Sequence, residues 1–576
     1  MANSLKDALK KAYEKKGIEL PKASPPKVDE RKSHPEPQKS FQKKHQTVKS
    51  QNKHQFQTRK VVPQQVALGG IKNTSAVISA YGQGVAVKKE EKASSVDYQI
   101  EFYKSLAELN FSGEPENFEY QSQTFVANSL QASIGPWSSQ IELVIGLDFG
   151  TSGVKIVIGD HVNNKAFAIP FSKSLGVQAY VLPSRLYKEQ DVYSLNEGSE
   201  IYRDLKLSLL AEPNDIVCQN RVVAFIALLL RHARSWLLSK HGDIYKRTEI
   251  FWKLCLGLPS ADHLNSEHKS IFEKLASVAW YISASNEKVT YSVVEKALGI
   301  PDDEINASQD AAEVQVIPEI AAQIYGYVVS SSFDPNDQNI YLMVDIGAGT
   351  VDSCLFKVEK KPGGKWGFVF YTTEVQPNGV MNLNRNRLDW WKKVITDNPY
   401  HFSIKPNFLD QLKFYTDRLT QIPEKISDYF SNLSLAFNSN ESDPDYIFFM
   451  KRVVPQVRGR TLYKAWQENL LTQNNLVGIP MYLCGGGSRM TFYKKLNLEL
   501  ENFPGVTWLK ATSRDLQKPD RLIAEGLMNV DYDRLSVAYG LSFIEVNTVL
   551  KAVAPPRIPN LGIVTWNDHY ISKDQC

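Results

Sequence analysis

Leu143-Val144-Ile145-Gly146-Leu147-Asp148-Phe149-Gly150-Thr151-Ser152-Gly153-Val154-Lys155-Ile156-Val157-Ile158 is the stretch on which the fold turns. An apolar run ends in an aspartate, a glycine-bounded turn follows, and a second apolar run leaves it. Such a pattern predicts two buried strands joined by a tight loop. Asn163-Asn164 is a turn signal, and Ala166 to Phe171 supplies a third strand, so an antiparallel meander is expected. Downstream, Asn214-Asp215 opens a helix with Val222, Phe225, Ile226 and Leu229 on one face, ending near Gly242. A strand at Lys253 to Leu258 and a helix around Ile271 to Ile282 come next. The arrangement then starts again: Tyr341-Leu342-Met343-Val344 runs into Asp345-Ile346-Gly347-Ala348-Gly349-Thr350-Val351-Asp352 and on through Ser353 to Val358. A repeated strand-turn-strand unit predicts an internal duplication with two facing lobes.

A chain of 576 residues holds more than one compact unit, because single cores stop growing near roughly 250–300 residues. Its 43% hydrophobic and 23% charged residues are those of an ordinary globular protein. The net charge of +4 conceals an asymmetry, since residues 1–60 carry 16 Lys and Arg against 6 Asp and Glu. Residues 1–96, with a Lys-rich helix candidate from Leu5 to Lys16, are too poor in apolar side chains to offset chain entropy. They read as a basic disordered tail whose charge suits a polyanion or acidic partner. Residues 97–140 form a lead-in, 141–340 a first lobe, 341–553 a second lobe, and 554–576 a C-terminal tail. The five cysteines, Cys218, Cys255, Cys354, Cys484 and Cys576, are scattered without a CxxC pair. That spacing points to reduced thiols rather than a disulfide frame or zinc site. The densest apolar run, Val222 to Leu230, stops at Arg231, short of the ~20 residues that span a bilayer. With no apolar signal core either, a cytoplasmic protein without membrane contact is expected.

A phosphate chain needs backbone N–H groups that approach closely, and glycine lets the main chain do so. Gly150-Thr151-Ser152-Gly153 and Gly347-Ala348-Gly349-Thr350 both answer that need, each led by a strand-terminal aspartate, Asp148 or Asp345. A carboxylate so placed can face Mg²⁺, which favours one or two carboxylates, phosphate oxygens and water. Met481-Tyr482-Leu483-Cys484 then leads into Gly485-Gly486-Gly487-Ser488-Arg489, expected to open a helix through Leu496. Three glycines at a strand-to-helix joint leave room for a flat base or a ribose, and a helix N-terminus favours phosphate.

Asp148 to Ser152 resembles the first phosphate motif of the actin, sugar-kinase and DnaK-type chaperone superfamily. Asp345 to Asp352 resembles its second phosphate motif, and Gly485 to Arg489 its adenosine motif, all in family order. Val316-Ile317-Pro318-Glu319-Ile320-Ala321-Ala322 with Tyr325-Gly326 looks like the connecting helix that hinges the lobes, and Ser536 to Gly540 like the chaperone's closing helix. The resemblance covers Ile141 to Val553. It implies an α/β, two-lobed actin-like ATPase fold with duplicated ribonuclease-H-like domains, closest to the DnaK-like nucleotide-binding domain. It further implies slow Mg²⁺-dependent hydrolysis of ATP in the cleft, as a switch for a protein partner. An actin-like filament protein and a small-molecule kinase are the competing members. By resemblance, Asp345 polarises the attacking water, and Asp148 and Asp345 order the metal's water shell. Thr350 offers its hydroxyl to the γ-phosphate, Lys206 supplies a cation there, and Glu319 senses nucleotide. Ala348 stands where the family has a middle glycine, which negative φ would tolerate. Residues 554–576 are too few for a peptide-binding domain and lid, so peptide grip in the DnaK manner is not expected.

Overall fold

The computed structural model describes residues 93–94, 97–102, 130–259, 266–308, 310–330, 332–362, 366–397, 405–416, 422–431, 433–502, 506, 508–544 and 549–552. All of them fall within one compact unit, Lys72–Cys576. The basic tail up to residue 92, residues 103–129 of the lead-in and the tail 554–576 lie outside the described residues.

The architecture is mixed α/β and is built on two sheets with one plan. In the first, strands run in the order Glu313–Pro318, Thr248–Leu258, Ser139–Phe149, Gly153–Asp160, Lys165–Ala168, Leu522–Ile523. In the second, the order is Ala511–Arg514, Ile479–Cys484, Ile340–Ile346, Val351–Lys360, Trp366–Gln376, Val549–Ala552. Neighbour by neighbour, both sheets pair parallel, parallel, antiparallel, antiparallel, parallel. The likeness between the two turns therefore extends to the strand order of the two sheets. Each hairpin strand is buried on both faces over its aspartate-bearing half, as central strands flanked by helices must be.

The helix read from Asn214-Asp215 is Ile216–His241, with the Asp215 carboxylate accepting from the Val217 amide at 2.8 Å. It is long and apolar enough to cross a membrane, yet 72% of its most apolar window is buried within the protein. Its neighbour is the helix Ser266–Ala284. Arg231 donates to the carbonyls of Ile282 and Ser285, and fully buried Arg234 to that of Ser283, tying the two helices together at this end.

Two helices, Glu319–Val328 and Ser536–Leu541, pack on each other and join the sheets through one core. That core holds Val144 and Val157 of the first sheet, Met343 and Cys354 of the second, and Ile320, Ile324, Val537 and Ala538 between them. A Cβ at Gly540 would stand 1.7 Å from the Ala322 carbonyl oxygen, so only glycine permits this crossing.

Two local expectations are corrected. Val316-Ile317-Pro318 is strand, paired in parallel with Leu256-Gly257-Leu258, and the helix begins only at Glu319. A sheet neighbour decided this for β-branched residues ahead of a proline. Gly485 is followed by a short 3₁₀ turn at Gly486–Arg489, and the α-helix starts at Thr491, because Met490 is extended with φ −66° and ψ 133°. The lead-in, for which the sequence gives no element, has Tyr98–Phe102 paired antiparallel with Leu433–Phe437 beside a separate core containing Trp391, which is 1% exposed.

Candidate functional site

A cavity of about 310 Å³ is lined from both sheets. One wall is Asp148, Gly150, Thr151, Ser152 and Gly153 at the first hairpin turn, with Lys155 on the returning strand. Opposite lie Asp345, Gly347, Ala348, Thr350 and Asp352. Lys206, Glu319, Gln323 and Asp533 add to the polar lining, and Gly485, Gly486, Gly487 and Arg534 close one end. The apolar lining includes Leu207, Val380, Met381 and Ile422.

Hairpin register decides what each aspartate meets. Asp148 stands across from Lys155, and the Lys155 ammonium donates to Asp148 Oδ2 at 2.8 Å. Asp345 stands across from Asp352, a carboxylate instead of a cation. Burial pushes the Asp345 carboxyl up to about 6, reinforced by the negative charges of Glu319 and Asp148. Lys155 and a hydrogen bond from Gln323 pull the other way without cancelling the rise. An acid of that strength is suited to accept a proton near neutral pH.

Lys206, only 3% exposed, donates to Glu319 Oε1 at 2.5 Å, so two residues 113 positions apart form an ion pair in the cavity wall. Burial raises the Glu319 carboxyl; Asp148 adds to that rise and Lys206 opposes it.

The second loop is held from behind. The carbonyls of Gly347, Ala348 and Gly349 accept from the amides of Val380, Met381 and Gly379, where the helix Val380–Asp397 begins. The Asn382 side chain also donates to Gly349 at 2.6 Å. With its carbonyls turned away, the loop leaves the Ala348 and Gly349 amides without backbone partners among the described residues. Neither Gly347 nor Gly349 has positive φ, and nor does Ala348, so the replacement of glycine at 348 is tolerated. Gly485 does, at φ +82°, and a Cβ there would lie 2.2 Å from Asp345 Oδ1. The Gly485 turn thus rests directly on the aspartate of the second hairpin.

Of the residues singled out from sequence, Gly349, Ser488 and Arg489 do not line the cavity. Gly349 faces Thr151 and Leu207 from the opposite wall. Ser488 donates to the Gly485 carbonyl at 2.8 Å, and Arg489 pairs with Asp531 and Asp533 at 3.1 and 2.6 Å. The guanidinium that does line the cavity is Arg534, beside Gly486, which sequence reasoning missed. Lys155 and Gln323 were also missed as site residues. Hairpin register would have given Lys155, and the i, i+4 spacing from Glu319 would have given Gln323. No local signal marks Arg534.

Mg²⁺ keeps several waters and binds through one or two carboxylates plus phosphates, a demand that Asp148 and Asp345 satisfy. Among the described residues there is no group of three or more His, Cys, Asp or Glu side chains that could cage a metal. With Lys155, Lys206 and Arg534 present as well, the donor set fits a polyanion accompanied by a hydrated cation. No protein-family model and no curated protein matches the chain.

Proposed function

We propose that this chain is an ATPase of the actin and DnaK-type superfamily, with a two-lobed fold of duplicated ribonuclease-H-like domains, hydrolysing ATP between the lobes. The observation that carries this is the convergence of two like-ordered sheets on one cavity. It gathers both aspartate-led loops, the Gly485–Gly487 turn and the Lys206–Glu319 pair. On this reading the phosphates meet the Ala348 amide and the Thr350 hydroxyl, and the base lies toward Gly485-Gly486-Gly487. Asp148 and Asp345 would hold Mg²⁺ through its water shell, and the ion would neutralise phosphate charge when bound. Asp345 takes the proton of the attacking water, and Lys206, oriented by Glu319, balances charge on the departing phosphate. Catalysis is then mainly positioning and electrostatics.

A switch for a protein partner is supported by the route out of the second loop. Its carbonyls are bonded to the start of the helix Val380–Asp397, whose far half carries Leu388 and Trp391 into the separate core. A change of phosphate occupancy at residues 347–349 would bias that helix. Titration calorimetry with MgATP and MgADP, together with phosphate release without an acceptor, tests the proposal. Binding of both nucleotides and slow acceptor-independent release are expected. No heat at millimolar nucleotide overturns it.

A further inference from the structure

The lining of the cavity carries five carboxylates against three cations, Lys155, Lys206 and Arg534. A polyanion entering such a wall needs a cation that is not already spent. Lys155 donates to Asp148 at 2.8 Å, and Lys206 is paired with Glu319. Arg534 differs: its half-buried guanidinium makes no hydrogen bond and no ion pair among the described residues. The adjacent carboxylate, Asp533, is held by Arg489 at 2.6 Å instead. The guanidinium lies over Gly486, where a Cβ would stand 2.8 Å from Nη1, 3.2 Å from Cζ and 3.6 Å from Nη2. Glycine at 486 thus leaves the space that this fork occupies. Burial pushes the guanidinium pKa down, Arg489 adds to the fall, and Asp533, Asp148 and Asp345 oppose it. Arg534 therefore stands between the Gly485-Gly486-Gly487 turn and the aspartates of both hairpins, a withdrawn charge whose N–H donors the described residues leave unused.

We infer that Arg534 anchors the diphosphate of the nucleotide, the part that ATP and ADP share; the inference rests on the function proposed above. A guanidinium presents paired N–H donors in a fixed fork that matches two phosphate oxygens at once. The base is uncharged and does not answer a withdrawn cation. The γ-phosphate lies toward Ala348 and Thr350 on the opposite side. What remains between the glycine turn and the aspartates is the α,β-diphosphate. Arg534 ends the short turn Asn529–Arg534, just ahead of the helix Ser536–Leu541 that packs on Glu319–Val328. The anchor is thus fixed to the crossing that joins the two sheets. Its grip is the same before and after hydrolysis, so the difference between the ATP and ADP states is left to the γ-phosphate at the second loop.

The test is titration calorimetry on the full chain with Mg²⁺, using ADP, inorganic pyrophosphate and adenosine as probes. Wild type, Arg534→Met and Arg534→Lys are compared, and thermal melting checks the fold. Arg534→Met is expected to weaken ADP and pyrophosphate about ten- to a hundredfold, the loss of a charge-assisted fork, while adenosine stays within about twofold. Arg534→Lys keeps the charge and loses the fork, so it should fall between the two. ADP and pyrophosphate bound as tightly by Arg534→Met as by the wild type overturn the inference and leave the ATPase intact. Adenosine weakened as much as ADP overturns it too, by marking a residue that serves the base or the fold. If Arg534→Met does not fold, Arg534→Lys decides by the same split. Pyrophosphate bound through Arg534 by a wild type that takes no adenine nucleotide keeps the anchor and ends the ATP reading. A wild type that binds none of the three probes ends both.

Discussion

The two hairpins share a backbone and differ in charge. Each has an apolar strand ending in an aspartate, a glycine turn and an antiparallel return strand at the same position in its sheet. In the first, the residue opposite the aspartate is Lys155, and a 2.8 Å ion pair results. In the second it is Asp352, and Asp345 is pushed up to about 6 by burial and by Glu319 and Asp148. One backbone plan therefore yields a charge-compensated aspartate suited to holding ligands and a desolvated one suited to taking a proton. The shared strand order makes the two hairpins alike, and the cross-strand partner sets their charge apart.

The largest expected effect comes from removing the charge that makes the second hairpin different. Asp345→Asn should reduce phosphate release about 10²- to 10⁴-fold, the range of a general base, while preserving most nucleotide affinity. Steady-state kinetics beside calorimetry would show it, and wild-type turnover would end the assignment of that carboxylate. Next comes the joint that holds the hairpins face to face. Gly540→Val should cost about 1–3 kcal/mol or more in urea unfolding, because its Cβ meets the Ala322 carbonyl oxygen at 1.7 Å. Unchanged stability would mean that the two helices can part without loss.

The first hairpin is tested by Lys155→Met, which leaves Asp148 uncompensated beside Glu319 and Asp345. MgATP affinity should weaken about tenfold, ~1.4 kcal/mol. The same change sharpens a pH effect. The Asp345 carboxyl is protonated below about 6, and a protonated acid cannot accept the water's proton, so kcat/KM should fall as pH drops through about 6. Lys155 lowers that value, so in Lys155→Met the falling limb should move to higher pH. Comparison with the residual activity of Asp345→Asn separates this limb from the ionisation of ATP itself. The smallest effect is reserved for a pair remote from the cavity. Lys253 bridges Glu142 and Glu313 at 2.9 and 3.1 Å across three strands of the first sheet, with both glutamates about half exposed. Lys253→Ala should cost less than about 1 kcal/mol and leave turnover alone, as solvent-screened pairs do. A large loss of activity there would show that charge acts at long range through the first sheet and would blur the contrast between hairpins.

What could be read from the chain alone was whatever is encoded within a few residues of itself. Leu143 to Ile158 and Tyr341 to Val358 announced their strands through continuous apolar runs, their turns through glycine, and the place of Asp148 and Asp345 through position at a strand end. Asp215 announced a helix start, and the structure has its carboxylate on the Val217 amide. Even Lys155 was present in the hairpin register. Tertiary structure decided the rest, because it depends on closures across long stretches of chain. Lys206 looks like any surface lysine until Glu319 meets it across 113 residues and burial closes over both. Arg534 enters the cavity only because the helix Ser536–Leu541 packs against Glu319–Val328, and Arg489, which carried the motif, is drawn off by Asp531 and Asp533. Short-range backbone preference and hydrophobic period set strands, turns and caps. Charge partnership and desolvation act through space, and they take their values only when the two sheets have come together.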